Sequence, residues 1–265
     1  MKLLTSITLA FISLTTISQT DFTGGFIGVN GGAYFANKNT AMMYSGGNQF
    51  SVYGIEWAFQ NQYYKPDLDN YFQYPYEIAE LPEGMTYRPS LDIGLIMGYN
   101  MDNSAAVFLE ANIAQLKIQD VFVVEINNPN NTSPSAQYEQ IPIFGEEQRL
   151  NINAGFRFGV FEKNGLNGFV PIYGNINAVQ LKRNYFVINN RQYPIVHNIQ
   201  GYTNERPGGT GYGAGTGFGM RYGINDNIIL EANYNIMYSK ITMLKSAGFQ
   251  EWGLQHGIGI RVIWG

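Results

Sequence analysis

The chain contains no cysteine. Disulfides, thiolate catalysis and a lipidated N-terminal cysteine are therefore excluded. Charge is scarce too: 14% of residues are Asp, Glu, Lys or Arg, against about a quarter in ordinary soluble domains. The net charge of −4 argues against a nucleic-acid partner. Histidine occurs only at His197 and His256. Long apolar runs are also missing. Past the N-terminus no segment offers the ~20 uninterrupted apolar residues that a spanning helix needs. The mean hydropathy of −0.16 is too polar for a bundle of such helices.

What is abundant points to strands. There are 31 Gly, 19 Tyr and 17 Phe, residues that suit turns, strands and membrane-interface belts. In 150–160, Leu150, Ile152, Ala154, Phe156, Phe158 and Val160 alternate without error with Asn151, Asn153, Gly155, Arg157 and Gly159. Successive strand side chains fall on opposite faces, so this is a strand with one apolar and one polar face. Similar segments lie near 25–36, 88–99, 105–117, 170–181, 212–222, 228–239 and 252–264. The connections alternate. Those at 100–104, 162–168 and 223–227 are short and rich in Asn, Asp and Gly; those at 37–87, 127–147, 182–211 and 240–250 are long.

The N-terminus reads as a secretion signal. Lys2 supplies the positive start, Leu3 to Leu14 the apolar stretch, and Thr16-Ile17-Ser18 the small-x-small cleavage site. Residues 1–18 are expected to be removed, leaving 19–265 as the exported protein. A secreted chain with alternating strands predicts an all-β fold: a closed antiparallel transmembrane β-barrel of about eight strands, in which lipid replaces the apolar core. Both chain ends then lie on the periplasmic side, with short turns there and long loops outside. Tyr99, Tyr222 and Trp264 end strands on the periplasmic rim, while Phe35, Tyr238 and Trp252 approach the opposite one. Tyr and Trp suit headgroup depth, being apolar at one end and hydrogen-bonding at the other.

These strands, the loop alternation and the terminal Gly259-Ile260-Arg261-Val262-Ile263-Trp264 resemble the small outer-membrane β-barrel superfamily of Gram-negative bacteria, the OmpX-, OmpA- and PorT-like barrels. The resemblance covers the chain from about Gln19. It implies the outer membrane as location, membrane lipids as surroundings, and recognition of the C-terminal strand by the barrel-assembly machinery. Such chains end on the aromatic, whereas this one adds Gly265. The superfamily includes adhesins, anchors, secretion accessories and a few enzymes, so function does not transfer with the fold.

Inward parity collects three carboxylates, Asp92, Glu110 and Glu231, and three guanidinia, Arg157, Arg221 and Arg261. Unpaired charge in a confined interior is costly, so these are expected to pair. With inward Asn112, Asn151, Asn153 and Asn233 they predict a hydrogen-bonded plug, because eight strands leave an interior just wide enough to be filled by side chains. The inward glycines 213–219, 253, 257 and 259 free volume, which bulky Tyr34, Phe108 and Tyr173 would occupy. Two hairpins echo each other: 98–103 leads to Leu109-Glu110-Ala111-Asn112, and 222–227 to Leu230-Glu231-Ala232-Asn233. Shared barrel grammar and duplication of a four-strand half both explain this.

No residue set announces catalysis, a cofactor or a metal. His197 lies in the third long loop without a serine there; Ser45 or Ser135 would have to supply a hydroxyl from another loop. Asp67 and Asp69 read as a solvated turn. Asn130-Asn131-Thr132 matches a glycosylation acceptor by chance. The period-two glycines 211–219 lack the Lys-Ser or Lys-Thr of a phosphate loop.

The first loop is the least ordinary segment. Ser51 suits an N-cap, and Val52, Ile55, Phe59 and Tyr63 recur at helical spacing until Pro66, predicting a short amphipathic helix. Its aromatics, Tyr53, Trp57, Phe59, Tyr63 and Tyr64, either fold over the barrel mouth as a lid or dock an outer-membrane or surface protein, or a glycan. The leading function is an outer-membrane structural or interaction component, such as an accessory subunit of a secretion, adhesion or assembly complex. A narrow channel or small-ligand transporter, and a membrane-embedded hydrolase or acyltransferase, are the alternatives.

Overall fold

The computed structural model describes residues 23–45, 54–101, 104–133, 135–195, 208–225, 227–244 and 249–265. Residues 1–18, expected to be a secretion signal, lie outside them. Among them are ten strands: β1 (Gly24–Phe35), β2 (Tyr76–Glu80), β3 (Ser90–Asn100), β4 (Ala105–Ile126), β5 (Gln137–Lys163), β6 (Leu166–Ile188), β7 (Arg191–Pro194), β8 (Gly208–Asn225), β9 (Ile228–Leu244) and β10 (Phe249–Trp264). Eight of them close a ring in the order β1-β3-β4-β5-β6-β8-β9-β10, with β10 returning to β1 and every neighbour antiparallel. Closure gives the backbone polar groups partners that lipid cannot provide.

Around the outside runs an apolar belt. Leu91, Ile93, Leu95 and Met97 on β3, Ile172 and Ile176 on β6, and Leu254, Ile258 and Ile260 on β10 are all about half exposed or more. A continuous apolar surface of this extent marks contact with an apolar phase. Trp264 and Trp252 on β10 lie twelve residues apart; at ~3.3 Å per residue and a ~40° tilt this is a height of ~30 Å, enough to bracket a hydrocarbon band of ~25 Å.

Three ring strands are far longer than the apolar alternation predicts. β5 has 27 residues, where a membrane crossing needs about 9–11. The reason is a change of phase. On β5 the apolar side chains from Leu150 through Phe158 face outward, yet Ile141 and Ile143 face inward and are buried. On β4 the outward Val107, Leu109 and Ile113 give way to inward Leu116, Ile118, Phe122 and Val124; on β9 outward Ile236 and Tyr238 give way to inward Ile241 and Met243. The period of two continues while the apolar face swaps sides, because above the bilayer water replaces lipid outside and a protein core replaces the polar interior. The expected loop at 127–147 is therefore mostly strand.

Inside this collar the first loop packs down. A 3-10 helix (Lys38–Tyr44) is followed by helices α1 (Ile55–Gln60) and α2 (Lys65–Phe72). Ile55, Ala58, Phe59, Leu68 and Phe72 join Phe122, Ile141, Ile143, Phe186 and Tyr193 in a buried cluster. β2 adds to the upper part of β4, and β7 to that of β6. The single helix expected to end at Pro66 is instead two. Gly54 caps the first, and Pro66 sits in the opening turn of the second, where its missing N–H costs nothing. Ser51 and Val52 lie outside the described residues. Removing the Phe59 side chain is expected to cost about 3–5 kcal/mol of this cluster's stability. The check is limited proteolysis: residues 54–87 should become cleavable while the barrel keeps its heat-dependent gel mobility.

Candidate functional site

The barrel interior holds two polar layers. In the lower, Glu231 on β9 faces Arg221 on β8 and Arg261 on β10 in direct register. Arg157 reaches it from the opposite wall, its Nη1 donating to Glu231 Oε1 at 2.6 Å. Arg261 bridges the carboxylates: Nη2 and Nε donate to Glu110 Oε1 at 2.7 and 3.2 Å, and Nη1 lies 3.5 Å from Glu231 Oε2. The Arg157 guanidinium is also ringed by Phe26, Phe108 and Phe169, with centroids 4.9–5.4 Å away. Glu110, Arg157, Arg221, Glu231 and Arg261 are all buried. Asp92 stands apart from the arginines and accepts from Asn112 Nδ2 at 3.1 Å. The two echoed hairpins, β3–β4 and β8–β9, lie across the ring, and their matching Glu110 and Glu231 share Arg261.

Asparagines fill the middle. Asn153 and Asn175, and Asn151 and Asn177, are cross-strand partners, with Asn175 Nδ2 donating to Asn153 Oδ1 at 2.8 Å and Asn177 Nδ2 to Asn175 Oδ1 at 3.1 Å. Two of the β8 glycines are covered by rings: a Cβ at Gly215 would fall 2.4 Å from Tyr173, and one at Gly219 2.2 Å from Phe169. Beside Gly257 and Gly259 a space of about 30 Å³ remains, bounded by Asn30, Asp92, Glu110 and Arg261, the size of one water.

The upper layer lies just outside the strand expected at 150–160. Arg149 is fully buried; its Nε donates to Glu147 Oε1 at 2.5 Å, Nη2 to Thr40 Oγ1 at 2.9 Å and Nη1 to Gln255 Oε1 at 3.2 Å. Glu147 Oε2 accepts from Tyr44 at 2.7 Å and Tyr87 at 3.0 Å. Burial and then the nearby Glu147 charge push both phenols well above their ordinary range, so they stay protonated and donate. The Tyr44 ring lies over Gly145, where a Cβ would meet it at 2.3 Å. Gly145→Val is therefore expected to expel Tyr44 and loosen the mouth, read as faster hydrogen exchange of residues 38–45. The inward parity of Arg157 and Asn153, carried back through 151 to 149 and 147, was the available signal; placing 127–147 in a loop hid it.

Of the first-loop aromatics, Phe59 is in the head core, Trp57 and Tyr64 pack against it, and Tyr63 is exposed; Tyr53 lies outside the described residues. Tyr64 donates to Pro194 O at 3.2 Å. Asp67 and Asp69 lie on α2, not in a solvated turn. Asp67 pairs with Arg191 of β7, while Asp69 accepts from Lys65 at 2.7 Å and Tyr76 at 3.0 Å. The hydrogen bond from Lys65, with that from Tyr76, holds the Asp69 carboxyl below its usual range. Beside this head an open groove of about 1020 Å³ runs between α1, α2 and β2, lined by Glu56, Phe59, Asp69, Tyr74, Tyr76 and Glu77 among others.

Tyr99 and Tyr222 lie by the short turns with Trp264. At the other rim Trp252 stacks on Tyr238 with centroids 5.2 Å apart and meets Tyr212 edge-on. His256 stacks on Phe35 on the outer wall. His197 lies outside the described residues; Ser45 is buried and donates to Met42 O. No group of three His, Asp or Glu suited to a metal occurs among the described residues.

A closed eight-strand ring with a lipid-facing belt, aromatic rims and a polar interior is a bacterial outer-membrane β-barrel. No protein-family model matches the chain, and no curated protein matches it. Solved structures similar to it include Neisserial surface protein A (9% identity, 91% of this chain and 96% of that one, TM-score 0.47). OprG from Pseudomonas aeruginosa (10%, 94% and 97%, TM-score 0.39) is another. A third is Ail, the attachment invasion locus protein of Yersinia pestis (10%, 93% and 98%, TM-score 0.33).

Proposed function

We propose that the protein is a non-enzymatic interaction component of the outer membrane, a plugged barrel that holds a rigid head above the outer leaflet for a protein partner. The observation that carries this is the second core. β4, β5 and β6 continue past the belt and, with the first loop, bury Phe59, Phe72, Phe122, Phe186 and Tyr193 well away from lipid. A barrel that only anchored itself would not need it. The groove beside the head, with Tyr74 and Tyr76 among carboxylates, is the surface offered. The partner is expected to belong to a secretion, adhesion or assembly complex. The test is gentle detergent extraction of the full chain from its own membranes with site-specific crosslinkers at Gln60 and Gln73, on the same groove. One defined partner should crosslink at these positions and be lost in a Tyr74→Ser, Glu77→Lys variant whose barrel is intact. Crosslinks to lipid alone, or a partner indifferent to both changes, would overturn the reading.

A second reading, a narrow channel, would have to run through the water-sized space beside Gly257 and Gly259. The filled interior predicts that planar bilayers containing the protein show no stable steps of porin size; such steps would replace the plug with a pore.

A further inference from the structure

The positive side chains on the outer wall are unevenly placed, with one, Lys240 in register with Trp252, on β9 and several on β4 and β6. The aromatic rim of Tyr212, Tyr238 and Trp252 belongs to β8–β10. On the other wall, that of β4–β6, the same height carries cations. Lys117 on β4 and Arg183 on β6 flank Glu146 on β5, each in register with it and each with its nitrogen 3.8 Å from a Glu146 oxygen. Both are about 60% exposed. Arg88, just before β3, joins them: its backbone N–H donates to Lys117 O at 3.0 Å and its Nη2 to Gln119 Oε1 at 2.6 Å.

Lys182 is the telling member. Glu146 pairs with Arg183 and Glu147 with Leu181, so Lys182 is the extra residue of a β-bulge. A regular strand would turn one of two consecutive residues inward. The bulge lets Lys182 and Arg183 both face outward and exposed, between buried Leu181 and Asn184. Bulges commonly re-aim a side chain in this way. The result is two cations on one carboxylate, Glu146, in ion pairs longer than hydrogen bonds, with Lys182 donating to Gln180 beside Arg183 and Arg88 to Gln119 beside Lys117.

The depth of this cluster says what meets it. Lys117 lies four residues beyond Ile113, the last strongly exposed aliphatic of the belt on β4. At ~3.3 Å per residue and a ~40° tilt that is ~10 Å higher, within reach of an interfacial layer ~5–8 Å thick. The group with complementary charge at that depth is a lipid phosphate, which Arg and Lys bind by charge-assisted hydrogen bonds.

We propose that the outer wall of β4–β6 is a seat for the phosphorylated headgroup of an outer-leaflet lipid, formed by Lys117, Lys182 and Arg183 with Arg88 beside them. The bulge at Lys182 is the device that concentrates the charge. The test uses the full chain in phosphatidylcholine nanodiscs with fluorescent phosphatidic acid as probe, at low salt. The native barrel should prefer phosphatidic acid over phosphatidylcholine. The triple variant K117Q/K182Q/R183Q should lose about a hundredfold of that preference, about fivefold for each cation removed. Glu146→Gln, which removes the competing carboxylate, should raise it, and Lys163→Gln at a periplasmic turn should leave it unchanged. Only folded, heat-modifiable protein is scored. An unchanged preference in the triple variant, a weaker one in Glu146→Gln, or equal competition by inorganic phosphate would overturn the proposal.

Discussion

Glu231→Ala is expected to destabilise the barrel by about 3–5 kcal/mol, the cost of leaving buried charge without its partner. Arg157 loses its 2.6 Å acceptor and Arg261 one of its two carboxylates. Three guanidinia, Arg157, Arg221 and Arg261, then share Glu110 in a volume from which water is largely excluded. The aromatic cage of Phe26, Phe108 and Phe169 compensates only partly, since each such contact is worth about 0.5–2 kcal/mol. Replacing Arg157 by Met together with Glu231→Leu should recover most of the loss, because matched apolar groups often substitute for a buried ion pair. Urea unfolding of vesicle-embedded protein measures both. A single-variant loss below about 1 kcal/mol would mean that the network is solvated.

The second large effect is expected on the opposite face of the wall. Leu95 lies in the middle of β3 and points out of the barrel, more than half exposed. Leu95→Arg should cost about 2–4 kcal/mol, the depth-dependent penalty of a cation at the bilayer midplane. The same replacement at Gln119, outward on β4 above the belt, should cost about 0–1 kcal/mol. The same cation is thus introduced at two outward positions, one facing hydrocarbon and one, where Gln119 accepts from Arg88, facing water. Equal costs would mean that no hydrocarbon surrounds Leu95.

The membrane-spanning part of the fold was legible because lipid enforces a single rule: apolar outward, polar inward, at every second residue. The eight segments and the short turns follow from it. The rule stops at the waterline, and there the reading failed. Ile141, Ile143, Ile118 and Phe122 alternate as regularly as Leu150 and Ile152, but with the apolar face turned in, and Glu147 and Arg149 sit at the change of phase. A pattern that is sought in one phase sees a loop where the strand continues. The lower charge cluster could be located from parity alone, as Glu110, Arg157, Glu231 and Arg261 show. Which carboxylate meets which guanidinium depends on strand register around a closed ring, and one strand's alternation does not contain it. Asp92 illustrates this: its parity is inward, yet its register sets it opposite Ala114 and Gly32, and its side chain accepts from the diagonal Asn112.

Because the native chain has no cysteine, single cysteines carrying a fluorophore can be placed along β5 without background. In vesicles containing brominated lipid, labels at 150, 152, 154 and 156 should be quenched and those at 151 and 153 protected. Above the change of phase, at 142 and 144, lipid quenching should vanish and a water-soluble quencher should take over. Uniform quenching along the strand, or ready access of the water-soluble quencher to 150–156, would contradict a lipid-facing wall that rises into a water-exposed head.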